Sequence, residues 1–175
     1  MSHERRFARE AAPPSKSMIL SLERTALTQS PQSWHPKVVR LMDYWRSLHP
    51  AEGVLPGRQH VDPIDLADLL PHLFLVDVER APLRFKYRLV GTNYVRMMGR
   101  DLTGAYLDQV HPGFHGSILR HYVDAVEQRE PQYRKGPVMY AVAQKDHLTV
   151  ERLIVPLARD GTHVDMIMGV ILHLA

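Results

Sequence analysis

The sequence contains no cysteine. It therefore cannot form a disulfide framework, a cysteine-ligated zinc site, an iron–sulfur cluster or a covalently attached c-type haem, and it offers no thiol nucleophile. No apolar run approaches the roughly 18 residues that a membrane-spanning helix needs, and the start, MSHERRFARE, lacks the apolar segment of a secretory signal. We therefore expect a cytoplasmic protein without a membrane partner.

A strong net charge is missing as well. The 22 Lys and Arg residues against 19 Asp and Glu residues give a net charge of +3. Part of this excess lies in residues 1–30, so the remainder of the chain is nearly neutral. Binding to nucleic acid requires basic residues clustered on one face or helix, whereas both signs are interleaved along this chain. We expect no nucleic-acid partner.

Catalytic and metal-binding motifs are also absent. The sequence has no GxSxG, HExxH, GxGxxG or P-loop pattern. Its 11 histidines are scattered, and most acidic residues are placed as caps, turn residues or strand exteriors. The neighbours Glu151 and Arg152 are interpreted as an ordinary ion pair. We expect neither an enzyme with catalytic residues nor a metal site.

A length of 175 residues fits one compact core with appendages. Residues 1–30 show no sustained period and predict a mobile N-terminal arm. Residues 31–71 predict flanking helices, the first beginning near Pro36 and a shorter one following Asp62. Residues 72–175 are expected to form the core.

The core segment combines strands and helices. Apolar and basic residues alternate over 83–89, which together with 72–80 predicts a β-hairpin. Short helical pieces follow, then a long amphipathic helix over 114–129, and three β-rich runs complete the chain at about 133–143, 148–158 and 163–174. The order predicts an α+β fold: a five-stranded antiparallel sheet, helices packed on one face and an N-terminal flanking helix.

Several short phrases resemble one protein family. RLVGT at 88–92 runs into GRDLTG at 99–104, LPGR stands at 55–58, and VPL at 155–157 precedes a late Asp-Gly turn. Over about residues 33–175 the chain resembles the stand-alone PAS-like domains of proteobacteria. The resemblance implies a sheet that cradles short helices, with a pocket between them for a small molecule or a protein contact.

The ligand pocket is predicted from side chains that alternation or helical phase places on inward faces. Methionines adapt to irregular cavities but also fill cores, and a buried phenol needs a partner for its O–H. We expect ten side chains to surround one interior space: Phe85, Tyr87, Tyr94, Met97, Met98, His115, Ile118, Tyr122, Met139 and Met168.

The same resemblance bears on cofactors. Haem-binding PAS domains take their axial histidine from the long helix, so His115 or His121 is a candidate b-type haem ligand, although an ordinary imidazole is favoured. Flavin–cysteine photochemistry is excluded by the missing thiol, and nothing in the sequence supports a noncovalent flavin. We expect no cofactor and no metal in the purified protein.

The function predicted from these features is a non-enzymatic sensory or regulatory domain. It would bind a small, largely apolar ligand or a partner protein, and would signal through dimerisation or a separate signalling protein. A purely structural interaction module with a fully packed core is the alternative, and an unrecognised small-molecule enzyme is a further one.

A homodimer is predicted from the helix near Pro36. Its apolar stripe is too wide to remain exposed to solvent, because burying each such side chain contributes roughly 1.5–3 kcal/mol of stability. The stripe could cover the chain's own sheet or a second copy related by a two-fold axis, and we favour the second copy. The stripe consists of Val38, Leu41, Met42, Trp45 and Leu48.

Overall fold

The computed structural model describes residues 33–110, 116–138 and 148–174. Short 3-10 turns span Arg58–His60, Ile64–Leu66 and Leu70–His72. The helices are α1 (Pro36–Ser47), α2 (Thr92–Met98), α3 (Leu107–Val110) and α4 (Ser117–Gln128). The strands are β1 (Leu73–Glu79), β2 (Arg84–Val90), β3 (Gln132–Pro137), β4 (Thr149–Leu157) and β5 (Met166–Leu174).

The strands form one antiparallel sheet in the order β2-β1-β5-β4-β3. The predicted five-stranded α+β fold is therefore confirmed. One local prediction is wrong: the segment after Asp62 forms two 3-10 turns rather than one continuous short helix. The arm predicted over 1–30 lies outside the described residues.

The central strand β5 and its neighbour β4 are buried on both faces over most of their length. Alternation assigns their residues to faces. A Cβ on Gly169 would meet the ring of Phe74, so Gly169 and Phe74 share one face, which we call the inner face. Their strand neighbours Met168 and Leu75 point to the other, outer face. The inner face also carries Arg152, and the outer face carries Glu151.

Helix α1 covers the outer face of β4 and β5. Proline at its first position lacks the N–H that a helix start leaves unpaired, and the His35 side chain accepts a hydrogen bond from the backbone N–H of Lys37 at 3.1 Å. The indole N–H of Trp45 donates to the carbonyl oxygen of Pro156 at 2.8 Å. A buried hydrogen bond therefore fixes the helix to β4.

This arrangement answers where the apolar stripe of α1 packs. Val38 and Leu41 are fully buried, Met42 and Trp45 are nearly so, and Leu48 packs against the core from a half-buried position. The chain's own sheet covers the stripe, which is the alternative that the sequence analysis did not favour. A homodimer stays a prediction, but its interface would have to use other side chains.

Strand β2 lies at one edge of the sheet, yet the backbone groups on its free edge are partly paired. The backbone N–H of Tyr87 donates to the carbonyl oxygen of Ala105 at 2.9 Å, and the N–H of Gly104 donates to the carbonyl oxygen of Tyr87 at 2.7 Å. An isolated bridge joins Lys86 to Tyr106 nearby. The connection between α2 and α3 therefore pairs with the centre of this edge strand.

Candidate functional site

Aromatic rings from three elements meet on the inner face of the sheet. Ring centroids of Phe74 and Tyr87 are 6.2 Å apart, those of Phe74 and Tyr94 are 5.8 Å apart, and those of Tyr87 and Tyr94 are 6.2 Å apart. Phe85 of β2 and Tyr122 of α4 continue the cluster at 5.4 Å. The strands present these rings by alternation, and the helices α2 and α4 close over them.

The tyrosine hydroxyls point toward one another within this cluster. The Tyr87 and Tyr94 oxygens are 3.2 Å apart in a buried hydrogen bond, and the Tyr122 hydroxyl interacts with both Tyr87 and Arg152. Burial raises the pKa of each of these phenols above its ordinary value. All three hydroxyls are therefore protonated donors near neutral pH.

A cation and a neutral imidazole complete the arrangement. Arg152 of β4 is only 6% exposed, and its guanidinium Nη2 donates to Nδ1 of His121 at 3.1 Å. The guanidinium carbon also lies 5.3 Å from the ring centroid of Tyr122. Burial, together with the charges of Arg152 and Arg134, lowers the pKa of His121 to about 3. His121 is thus uncharged at neutral pH.

We define the inner site as Tyr87, Tyr94, Tyr122, His121 and Arg152. Three of these residues and Phe85 were predicted to share an interior space, and the structure brings them together. Ile118 is buried on α4 and Met98 packs against the core. His115 and Met139 lie outside the described residues.

Two predicted pocket residues stand elsewhere. Met168 is buried on the outer face, where its strand partners are Leu75 and Val155. Met97 borders a separate surface cleft of about 390 Å³, which His72 and His173 also line. Met168 therefore lies on the face of the sheet opposite the tyrosine cluster.

Arg152 was not predicted as a site residue, because the sequence suggested an ion pair between it and Glu151. That interpretation is wrong, since neighbours in a strand face opposite sides. Glu151 lies on the outer face, where its Oε1 accepts a hydrogen bond from the His35 backbone N–H at 2.7 Å and its Oε2 lies 3.1 Å from Lys135 Nζ. Two adjacent charged residues in an otherwise largely apolar strand are the signal that could have identified Arg152, because strand neighbours face opposite sides of the sheet.

The inner site does not fit a b-type haem held by His121. A guanidinium only donates hydrogen bonds, so Nδ1 of His121 is the acceptor and the ring proton sits on Nε2. Neither nitrogen then offers a lone pair to iron. Across the described ranges, no group of three or more His, Asp or Glu side chains is placed to hold a metal ion.

A second concave surface lies on the outer face of β1 and β2, which α1 leaves uncovered. This groove has a volume of about 660 Å³ and is lined by both apolar and charged side chains. Its lining includes Leu75, Leu89 and Met166 together with the ion pair between Arg88 and Asp77, whose Nη1 and Oδ2 atoms are 3.2 Å apart.

The buried imidazole predicts a pH-dependent stability. Unfolded His121 has an ordinary pKa near 6.5, so below that pH the unfolded chain binds a proton that the folded chain does not. Folding therefore loses stability as the pH falls from about 7 toward 3. We expect the free energy of unfolding to drop by about 2 kcal/mol between high pH and pH 5 through this group alone.

Urea titrations at several pH values above about 5, where most carboxylates are still ionised, check this expectation. His121→Gln is the matched variant, because it keeps a polar side chain that does not titrate. The free energy of unfolding of this variant should change less with pH than that of the wild type. The other histidines contribute equally to both proteins. Parallel curves for the two proteins would contradict the assignment.

A family model described as "PAS domain" matches residues 33–172. No curated protein sequence matches the chain. In the described part of the chain, no helix is both long and apolar enough to cross a bilayer.

Three solved structures illustrate the similarity. The LOV protein of Rhodobacter sphaeroides shares 13% identity over 78% of this chain and 68% of its own, with a TM-score of 0.46. A PAS domain from Colwellia psychrerythraea shares 14% identity over 65% of this chain and 98% of its own, with a TM-score of 0.44. The PAS domain of Bordetella pertussis BvgS shares 14% identity over 63% of this chain and 84% of its own, with a TM-score of 0.41.

Proposed function

Because the chain belongs to the PAS domain family, we propose that it is a sensory domain that binds a small molecule at its inner site and has no enzymatic activity. The observation that supports this function is the polar network inside the core. Burying polar groups costs free energy unless they are hydrogen-bonded. A module built only for structure would be better served by an apolar core at the same positions.

The chemistry of the site favours binding over catalysis. A general base works best when its pKa lies near the operating pH, whereas His121 has a pKa of about 3. The three phenols are held protonated, so they can donate hydrogen bonds to a ligand but are poor nucleophiles. Their rings offer apolar contact area, which suits the small, largely apolar ligand that the sequence analysis expects.

A route for the signal runs through β4. This strand carries Arg152 on its inner face, and four residues later the carbonyl oxygen of Pro156 accepts the hydrogen bond from Trp45 of α1. A ligand that shifts β4 would move α1 with it, because both contacts belong to one strand. The change would then pass to a second copy or to a separate signalling protein; both partners, like the cytoplasmic location, stay predictions.

Native mass spectrometry of the freshly purified full chain tests the proposal. We expect a fraction of the protein to carry a small molecule that is lost on denaturation. The double variant Tyr87→Phe/Tyr94→Phe keeps both rings and removes two inner hydroxyls, so it should carry less of that molecule. Tyr106→Phe is the control, because its hydroxyl contacts Glu79 near the surface.

A thermal-shift screen of small organic compounds covers a ligand that is lost during purification. Compounds that stabilise the wild type and Tyr106→Phe, but not the double variant, would support the inner site. A bare protein in the mass spectrum together with no stabilising compound would reject the sensory function. The packed structural module would then be the better description.

A further inference from the structure

Arg152 is a buried cation that has no counter-charge among the described residues. Its guanidinium contacts the neutral imidazole of His121, at 3.1 Å, and both the ring face and the hydroxyl of Tyr122. In residues 33–110, 116–138 and 148–174, no carboxylate forms an ion pair with this guanidinium. Arginine stays protonated in proteins, so the buried side chain keeps its positive charge.

The acidic residues nearest in sequence and fold are used elsewhere. Glu151 faces the opposite side of the sheet and pairs with Lys135. Asp124 of α4 forms an ion pair with Arg120, and the distance from Arg120 Nη2 to Asp124 Oδ1 is 2.7 Å. The inner site therefore contains hydrogen-bond donors and a positive charge, but no negative group of its own in the described chain.

A second arginine adds to the positive potential. Arg134 of β3 stands directly opposite Arg152 in the antiparallel register, and residues paired in this way project from the same face of a sheet. Arg134 is half-buried and hydrogen-bonds the carbonyl oxygen of Pro137 at 3.4 Å. Because Arg134 is only half-buried, water screens part of its charge, and Arg152 is the more deeply buried of the two cations.

We propose that the inner site binds a small organic molecule with one carboxylate, which pairs with the guanidinium of Arg152 while the phenol rings contact its apolar body. Buried charges are normally paired, and the planar guanidinium matches a carboxylate through two parallel hydrogen bonds. Tyr122, whose hydroxyl interacts with Arg152, would donate to the same anion. This ligand class rests on the proposed function and narrows it.

The charge balance favours a carboxylate over a phosphate. Arg152 is the buried guanidinium of the inner site, and it compensates a single negative charge. A phosphate monoester carries nearly two charges at neutral pH and would need further buried donors of positive charge. Inorganic phosphate is therefore the comparison anion in the test.

The test compares probes of nearly the same shape, one an anion and the other neutral: benzoate with benzamide, and hexanoate with hexanamide. Thermal shift and isothermal calorimetry on the full chain should show binding of at least one carboxylate, with its amide and inorganic phosphate binding at least about tenfold more weakly. Arg152→Gln should weaken binding of the carboxylate by a similar factor. Arg159→Gln, an exposed arginine outside the inner site, is the matched control.

Further outcomes keep the inference separate from the proposed function. If Arg152→Gln does not fold, Arg152→Lys keeps the charge without the two-pronged geometry and should retain part of the affinity. Equal binding of a carboxylate and its amide, or a co-purified neutral ligand, would overturn the carboxylate assignment and leave the sensory function intact. Binding of no carboxylate would also overturn it, whatever other compounds bind.

Discussion

Replacing Trp45 with alanine should lower the free energy of unfolding by about 3–5 kcal/mol, the range for buried tryptophan or phenylalanine truncations. The side chain is 7% exposed and packs between α1 and the outer face of β4. Its indole N–H donates to the Pro156 carbonyl oxygen, and its ring meets His49 edge-on with centroids 4.3 Å apart. The variant leaves a cavity and an unpaired buried carbonyl.

Chemical denaturation of three proteins separates these contributions. Trp45→Phe fills most of the volume without the N–H donor, so it should lose less than the alanine variant. Arg46→Ala alters the exposed neighbour and should change stability little. If Trp45→Ala unfolds at the same denaturant concentration as the wild type, the packing of α1 on the sheet described here is wrong.

The same residue distinguishes the two ways of covering the stripe. If the stripe packs on its own sheet, Trp45→Glu places a charge in the core and should unfold the chain. If the stripe joined two copies, the variant would yield a folded monomer. Sedimentation combined with circular dichroism measures both properties, and a folded, monomeric Trp45→Glu would restore the interface that the sequence analysis favoured.

Replacing Gly169 with alanine should cost about 3 kcal/mol, at the upper end of the range for overpacked cores. The added Cβ would overlap the Phe74 ring, lying only 2.7 Å from Cε1 and 2.8 Å from Cε2. Phe74 has little freedom to withdraw, because its ring contacts Tyr87 and Tyr94. The clash would therefore displace the tyrosines of the inner site.

Gly116→Ala is the control for this variant. Gly116 precedes α4 at a φ of −76°, and an added Cβ there would meet no atom within 4 Å. Its stability should stay near that of the wild type in the same denaturation experiment. Near-equal stability of Gly169→Ala and Gly116→Ala would show that Phe74 does not lie over Gly169.

The fold was predictable where only one face of an element is buried. The alternation in β2 and the stripe of α1 each have a clear period, because solvent lies on the other side. Strands β4 and β5 have no such period, since α1 covers one face and α4 packs on the other. The stripe of α1 therefore indicated that it must be covered, but not by what.

The inner site was predictable in part for the same reason. Tyr87 lies on an alternating strand and Tyr122 on an amphipathic helix, so their inward direction could be read. Met168 lies in a strand that is apolar on both sides, where a shift of one residue reverses the face. Arg152 was assigned to a sequence neighbour, although a strand sends adjacent side chains to opposite faces.

The backbone pairing along β2 has a consequence for how the protein behaves when it is concentrated. An exposed sheet edge offers N–H and C=O groups to another chain and promotes edge-to-edge aggregation. Here Tyr87 already exchanges hydrogen bonds with Gly104 and Ala105, while the opposite edge strand ends at Pro137, which has no N–H to donate. Both edges are thus poor templates for fibril growth, and concentrated samples should stay free of the β-rich aggregates that thioflavin binding detects.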